Sequence, residues 1–88
     1  MELKVGDVVY SKAGHDVKKA YAVVGVGLPK GYVAVADGDK HLLSKPKIKN
    51  PKHLRYVGEE LSEVATKLEA GTLQDWDLIY FLKKFRED

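Results

Sequence analysis

Counted from the N-terminus, the first stretch with residue types that could carry out catalysis is YSKAGHDVKKAYAVVGV, residues 10–26. It contains Ser11, His15 and Asp16, which are the residue types of a nucleophilic triad. Catalytic triads are built from residues that converge in space, and closeness in sequence does not produce that geometry. The chain also has no glycine-rich phosphate loop, no G-x-S-x-G motif and no H-E-x-x-H motif. We therefore predict that the protein is not an enzyme.

Metal and cofactor chemistry is not indicated either. His15, His41 and His53 lack the spacing of metal ligands, and no cysteine is present to complete a tetrahedral site. The sequence Asp37-Gly38-Asp39 is typical of a turn and not of an acid–base pair. The sequence thus predicts no metal and no cofactor.

Positive charge is the chemical feature that is concentrated in one part of the chain. Residues 1–56 carry eleven Lys and Arg against five Asp and Glu, a net charge of +6. Residues 57–88 carry four against eight, a net charge of −4. The positive residues fall mainly in a loop, residues 12–19, and in a segment, residues 40–55, that has no acidic residue. A basic half of this kind suits an anionic partner.

Tyrosines accompany these charges. Tyr10, Tyr21 and Tyr32 could provide surfaces on which bases stack, which is a usual way for proteins to bind RNA. Half-buried packing in a sheet is the alternative role for them, just as solvation is the ordinary role of a single surface lysine. For the lysines, the concentration of cations within one small sheet and its connections favours the binding role. For the tyrosines, half-buried packing remains the favoured role.

The front half of the chain has the alternating pattern of strands. Such patterns predict strands at Val8–Ser11, Tyr21–Leu28, Tyr32–Ala36, His41–Leu43 and Leu54–Tyr56. Turn signals separate them at residues 28–31 and 37–38. Gly25 and Gly27 inside the second strand indicate a bulge, as small barrels need. Pro46 and Pro51 exclude a helix from the basic segment. In a barrel, the loop after the first strand and the segment before the last can converge at one end.

Two helices are predicted in residues 59–86. Leu61, Val64, Ala65 and Leu68 have the spacing of one helix face, and Gly71 is a natural end for that helix. Thr72 and Asp75 resemble a capping box for the second helix.

The apolar residues of the second helix are more numerous than one buried face requires. Either the helix packs tightly on the barrel and the first helix, or one side of it remains for a partner protein. If Trp76 packs in this way, its replacement by alanine should cost about 3–5 kcal/mol. The apolar residues are Leu73, Trp76, Leu78, Ile79, Tyr80, Phe81, Leu82 and Phe85.

The sequence resembles the KOW motif, in which a strand, a polar glycine-containing loop and a second strand form part of an SH3-like barrel. The residues that carry this resemblance are GDVVYSKAGHDVKKAYAVVGV (6–26), GYVAVADG (31–38) and KPKIKNPKHL (45–54). They are similar to small bacterial KOW-domain RNA-binding proteins and to related large-subunit ribosomal proteins. Gly14 matches the glycine that opens the motif's loop, whereas Lys18 stands where the motif usually has glycine. The resemblance covers residues 5 to about 56.

The resemblance implies a small N-terminal SH3-like five-stranded antiparallel barrel. With the two C-terminal helices that the helical spacing predicts, the expected fold class is α+β. We expect one domain, residues 1–88, with the barrel in 1–57 and a helical tail in 58–88. The start of the chain is unlike a signal peptide, and no apolar run approaches the ~20 residues that span a bilayer. We therefore expect a cytoplasmic protein with no membrane partner.

The function implied is non-catalytic binding of folded ribosomal RNA or the ribosome, with ribosomal proteins as further partners and no small-molecule substrate. The alternative is an SH3-like protein-interaction module that uses the barrel or the tail. The predicted RNA-binding residues are Lys12, Gly14, His15, Lys18, Lys19, Lys40, Lys45, Lys47, Lys49, Lys52 and Arg55.

Overall fold

The computed structural model describes residues 2–12 and 19–85 of the chain. They form five strands, β1 Asp7–Ser11, β2 Ala20–Gly25, β3 Val33–Ala36, β4 Lys47–Lys49 and β5 Leu54–Glu60. Two helices follow, α1 Ser62–Ala70 and α2 Asp75–Leu82. Short 3₁₀ turns occur at Pro29–Gly31, Pro51–His53 and Lys83–Phe85. The predicted α+β class, with the change from strands to helices near residue 60, is confirmed.

The strands form one antiparallel sheet in the order β4-β3-β2-β1-β5. In the part of the chain that the structure describes, no β4–β5 pairing closes the sheet, so the predicted barrel is open at this seam. The sheet is nevertheless strongly curled. Lys49 Nζ at the end of β4 lies 3.4 Å from Ser11 Oγ at the end of β1, although two strands separate β4 from β1. The predicted bulge is present, because the β2–β3 register shifts between Val23 and Gly25.

The predicted strand at residues 41–43 is wrong. The Asp37 carboxylate accepts the N–H groups of Asp39 and His41, at 3.0 and 2.8 Å. The His41 carbonyl accepts the N–H groups of Asp37 and Gly38, at 3.0 and 3.1 Å. The backbone of this segment is therefore committed to a turn and cannot pair with β3. The fourth strand is β4 instead, an edge position that tolerates the neighbouring proline.

Both faces of the sheet are buried. The concave face of the curled sheet holds Val9, Tyr21, Val23, Val33, Val35 and Leu54. The opposite face holds Val8, Ala20, Ala22 and Ala36, and packs against Val64 of α1 and against Leu78 and Leu82 of α2. Because three of these sheet residues are alanines, both helices can approach the sheet closely.

The helix ends agree with the sequence in one case and not in the other. Gly71 ends α1 with a left-handed backbone, φ 74°, as predicted. The predicted capping box of Thr72 and Asp75 is wrong, because Asp77 accepts the Gln74 N–H at 3.0 Å at the start of α2. The Asp75 carboxylate instead accepts the N–H of Leu43 at 2.8 Å, which ties the β3–β4 connection to α2.

Candidate nucleic-acid interface

The two basic elements of the sequence meet at the end of β1. Lys12 donates its backbone N–H to the His53 carbonyl at 2.8 Å, which continues the β1–β5 ladder one residue beyond Ser11 and Leu54. Lys19 directly precedes Ala20, whose strand partner is Tyr10. Both ends of the basic loop thus lie at this end of the sheet, and Lys12 lies directly beside the turn that precedes β5. The side chains of Lys12 and Lys19 are exposed.

A rigid turn presents Lys52. Pro51 begins the 3₁₀ turn, and the Asn50 side chain accepts the Lys52 N–H at 3.1 Å. The His53 N–H donates to the Asn50 carbonyl at 2.9 Å, which closes the turn. The proline fixes one backbone angle and the asparagine satisfies an otherwise unpaired N–H. The exposed Lys52 side chain is therefore held on an ordered backbone.

The lysines of β4 share one side of the sheet. Lys47 pairs with Val35 and Lys49 pairs with Val33, and both valines belong to the concave face. Side chains of opposed residues lie on the same face, so both lysines extend from the rim of the concave face. Lys49 turns towards β1 and donates to Ser11 Oγ. This contact joins the basic segment to the end of β1.

Arg55 lies on the helix-packed side of the sheet. It pairs with Tyr10 in the β1–β5 ladder, and its guanidinium carbon is 5.7 Å from the centre of the Tyr10 ring. That separation is within the range of a cation–π contact. Tyr10 also donates its hydroxyl to the Phe85 carbonyl at 2.6 Å. Tyr10 therefore positions Arg55 and anchors the C-terminal turn.

The tyrosine predictions have three outcomes. Tyr21 is 1% exposed, within the concave core, so its prediction as a stacking surface is wrong. Tyr10 is half-buried and in contact with Arg55 and Phe85, and Tyr32 is half-buried next to the β2–β3 turn.

Sequence reasoning missed Tyr56, which is half-buried and lines a groove beside Lys12 and Arg55. Strand alternation carried a signal for it, since Tyr56 follows Leu54 by two positions and therefore lies on the same face of the sheet.

The structure brings together only part of the predicted set. Lys12, Lys49, Lys52 and Arg55 are linked by the contacts given above, with Lys19 and Lys47 next to them in the strands. We call these six residues the basic surface. Lys40 and Lys45 are exposed on the β3–β4 connection, and no side-chain hydrogen bond or ion pair given for the described residues joins them to the basic surface. Gly14, His15 and Lys18 lie outside the described residues.

The cations of the basic surface are not neutralised from within the described part of the chain. The ion pairs there join Lys4 to Asp7 at 3.2 Å, Lys4 to Glu60, and Lys67 to Asp77 at 4.0 Å. None of them includes a residue of the basic surface. Hydrogen bonds to the carboxylates of Glu60 and Asp7 raise the pKa of Lys4 above its ordinary value. Within residues 2–12 and 19–85, the paired lysines, Lys4 and Lys67, both lie outside the basic surface.

Residues 2–12 and 19–85 contain no group of three or more His, Asp or Glu side chains arranged to hold a metal ion. None of their helices has the length and apolar character needed to cross a membrane.

A scan against models of protein families and a search of curated proteins gave no match to this chain. The resemblance to KOW proteins therefore stays a prediction from the residues quoted above.

Proposed function

We propose that the protein is a non-catalytic cytoplasmic RNA-binding protein that contacts folded ribosomal RNA or the ribosome through the basic surface. The observation that supports this most directly is the group of six cations in the basic surface, none with an acidic partner among the described residues. Four of them lie at the end of β1, namely Lys12, Lys19, Lys49 and Arg55. The resemblance of residues 5 to about 56 to KOW proteins supports the same function.

The chemistry of such a surface is phosphate binding. Each lysine presents a compact positive charge, and the strands and the Asn50–His53 turn hold the backbone that carries it. Phosphate contacts of this kind position a protein on RNA without reading its sequence. We therefore propose recognition of RNA shape, with little sequence preference.

The test is a titration of labelled ribosomal RNA fragments with wild type and charge-reversed protein. Lys12→Glu with Lys52→Glu should weaken binding at least tenfold. Each lysine–phosphate contact releases counterions from the RNA when it forms, and the variant loses this favourable contribution. Both side chains are exposed, so the fold should survive, as circular dichroism can verify.

Lys83→Glu with Lys84→Glu is the matched control, because it makes the same charge change on exposed residues beyond α2. It should leave RNA affinity within about twofold of wild type. Absence of binding by wild type at low salt, or equal effects of both double variants, would contradict the RNA-binding proposal.

A second function is favoured by the exposed side of α2. Trp76 is 68% exposed and Tyr80 is 73% exposed, and residues four apart are neighbours on a helix. A groove of about 430 Å³ beside Tyr80 has Leu61 and Phe81 among its lining residues. Large exposed apolar patches commonly mark interaction sites.

The occupant that fits this side of α2 is an amphipathic segment of a partner protein with acidic residues. Lys83 and Lys84 line the same groove as Glu63, and neither lysine has an acidic partner among the described residues. The two lysines outnumber the one carboxylate, which provides the charge complementarity. Ribosomal proteins are the partners to test first, in line with the ribosomal assignment above.

Trp76 is the chain's single tryptophan, so its fluorescence reports on this side of α2 directly. Docking of ribosomal proteins freed from RNA should shift its emission to shorter wavelength, and Lys83→Glu with Lys84→Glu should abolish the shift. Emission that is unchanged by every ribosomal protein fraction would exclude these partners.

A further inference from the structure

A groove next to the basic surface is lined by apolar and aromatic residues as well as by cations, and phosphate binding alone does not require the apolar ones. Its volume is about 310 Å³, and it is lined by Leu3, Lys12, Pro51, Leu54, Arg55 and Tyr56. Of the described residues in the lining, four are apolar or aromatic, two are cations and none is acidic. The two cations are exposed, whereas Leu54 is buried at the base. This lining complements a ligand that joins a flat apolar part to negative charge.

The free edge of β5 adds hydrogen-bonding groups to this groove. Among the described strands, β5 has a neighbour only on its β1 side. Paired residues in an antiparallel ladder alternate between those that exchange backbone hydrogen bonds and those that do not. The bond from Lys12 to His53 fixes this alternation, so the opposed pair of Val9 and Tyr56 is one that does not. The N–H and C=O of Tyr56 therefore point outward, where a base edge could meet them.

We propose that this groove binds one unpaired nucleotide of an RNA, with the base against Tyr56 and the adjoining phosphates at Lys12 and Arg55. The proposal rests on the proposed RNA-binding function and adds to it a preference for RNA with an unpaired base. Bases inside a duplex have no free face, whereas a bulged or loop base can stack on an aromatic side chain. The volume is near the lower end for ligand pockets, about 300 Å³, which suits a single nucleotide.

A free nucleotide offers the same base and phosphate chemistry, and the surroundings of the groove favour a polymer over it. Lys52 directly follows the lining residue Pro51, and Lys49 contacts Ser11, which is the strand partner of the lining residue Leu54. These two cations lie outside the lining, so they gain a phosphate to bind only when the nucleotide belongs to a longer chain. We therefore commit to RNA as the source of the nucleotide.

The experiment compares two RNA hairpins that differ only by one bulged adenosine, and 5′-AMP serves as the free-nucleotide probe. Wild type should bind the bulged hairpin about tenfold more tightly than the paired one, a factor within the range measured for stacking of one base on an aromatic side chain. With 2-aminopurine at the bulge, its fluorescence should change on binding. Tyr56→Leu keeps the apolar character and removes the flat ring, so it should abolish most of the preference while binding to the paired hairpin persists.

Tyr32→Leu is the matched control, since Tyr32 is also half-buried but does not line the groove. It should keep the tenfold preference. If Tyr56→Leu does not fold by circular dichroism, Tyr56→Met replaces it, because methionine also removes the flat ring, and it should reduce the preference in the same way.

The outcomes separate this inference from the function on which it rests. Equal affinity of wild type for both hairpins overturns the nucleotide groove and leaves RNA binding in place. Failure to bind either hairpin at low salt overturns both. Affinity for 5′-AMP equal to that for the bulged hairpin overturns RNA as the source of the ligand.

Discussion

At the level of single residues, Gly38 is the point where the β3–β4 connection meets α2. Its backbone has φ 81°, a left-handed conformation that glycine adopts readily. A Cβ atom at this position would overlap the carbonyl oxygen of Asp75 in the first turn of α2. The absence of a side chain therefore permits the hydrogen bond from Leu43 to Asp75 that ties the connection to the helix.

Gly38→Ala should destabilise the protein more than Gly27→Ala. Both glycines have left-handed backbones, φ 81° and 76°, so both variants carry a conformational cost of about 1–2 kcal/mol. Only at Gly38 would the added Cβ atom overlap α2, and this overlap should add about 1–3 kcal/mol to the loss of stability. Urea denaturation measures the difference. Equal loss in both variants would show that α2 can move away from the connection at little cost.

Lys4 provides a pH-dependent prediction at the same scale. Its ammonium hydrogen-bonds to Glu60 and Asp7, and the pKa of Lys4 is raised above the ordinary value of 10.5. The proton is bound more tightly in the folded state, so its stabilising effect is complete below pH 10.5 and is lost as pH rises through the raised pKa. As the pH rises above 10.5, wild type should therefore lose more stability than Lys4→Met, as measured by urea denaturation. Parallel losses in both proteins would show that the ion pairs do not persist in solution.

At the level of elements, α2 is apolar on more sides than it buries. Leu78 and Leu82 are fully buried against the sheet, while Trp76 and Tyr80 on another side are exposed. The small alanine side chains on the sheet allow both leucines to pack closely against it. The condition for a large effect of Trp76→Ala, packing on the sheet or α1, is not met. The second of the two interpretations of this helix, an apolar side left uncovered, describes the structure.

Leu78→Ala should cost about 2–5 kcal/mol, because it opens a cavity between α2 and the sheet. Trp76→Ala should stay within about 0.5 kcal/mol of wild type, as exposed substitutions usually do. Thermal melts of the two variants test this directly. A large loss of stability in Trp76→Ala would mean that the exposed side of α2 is covered in solution.

At the level of the whole molecule, charge is divided between the sheet and the tail. The basic front half and the acidic back half have net charges of opposite sign, +6 and −4. The carboxylates of Glu60 and Asp77 pair with Lys4 and Lys67, so they do not neutralise the basic surface. A long-range contact from Tyr10 to Phe85 holds the end of the tail against β1.

Salt dependence should report the number of phosphates that this arrangement engages. The logarithm of the RNA association constant should fall linearly with the logarithm of salt concentration. Replacing Lys12 and then Lys52 by glutamine should flatten the slope by about 0.7–0.9 for each lysine that contacts a phosphate. Replacing Lys83 and Lys84 should leave it unchanged. If replacing Lys12 and Lys52 does not change this slope, the RNA interface lies elsewhere on the molecule.

The sequence by itself determined those features that depend on local pattern. Alternation of apolar residues predicted β1, β2, β3 and β5, and helical spacing with Gly71 predicted two helices and the break between them. These elements follow from a period of 2 or 3.6 residues and from backbone preferences of glycine, which neighbouring residues encode. The basic character of residues 40–55 was likewise plain from composition.

The tertiary structure alone decided which residues meet. Only the curl of the sheet brings Lys49 of one edge strand to Ser11 of β1, and only strand pairing sets Lys12 beside His53. The same packing buried Tyr21 and left Trp76 exposed, although both are aromatic residues in apolar stretches. Burial depends on which partner surface a side chain faces, and that surface is made by residues far away in the chain. For this reason, the sequence predicted a basic protein with a sheet and a helical tail, while the fold selected the six cations and the groove beside them.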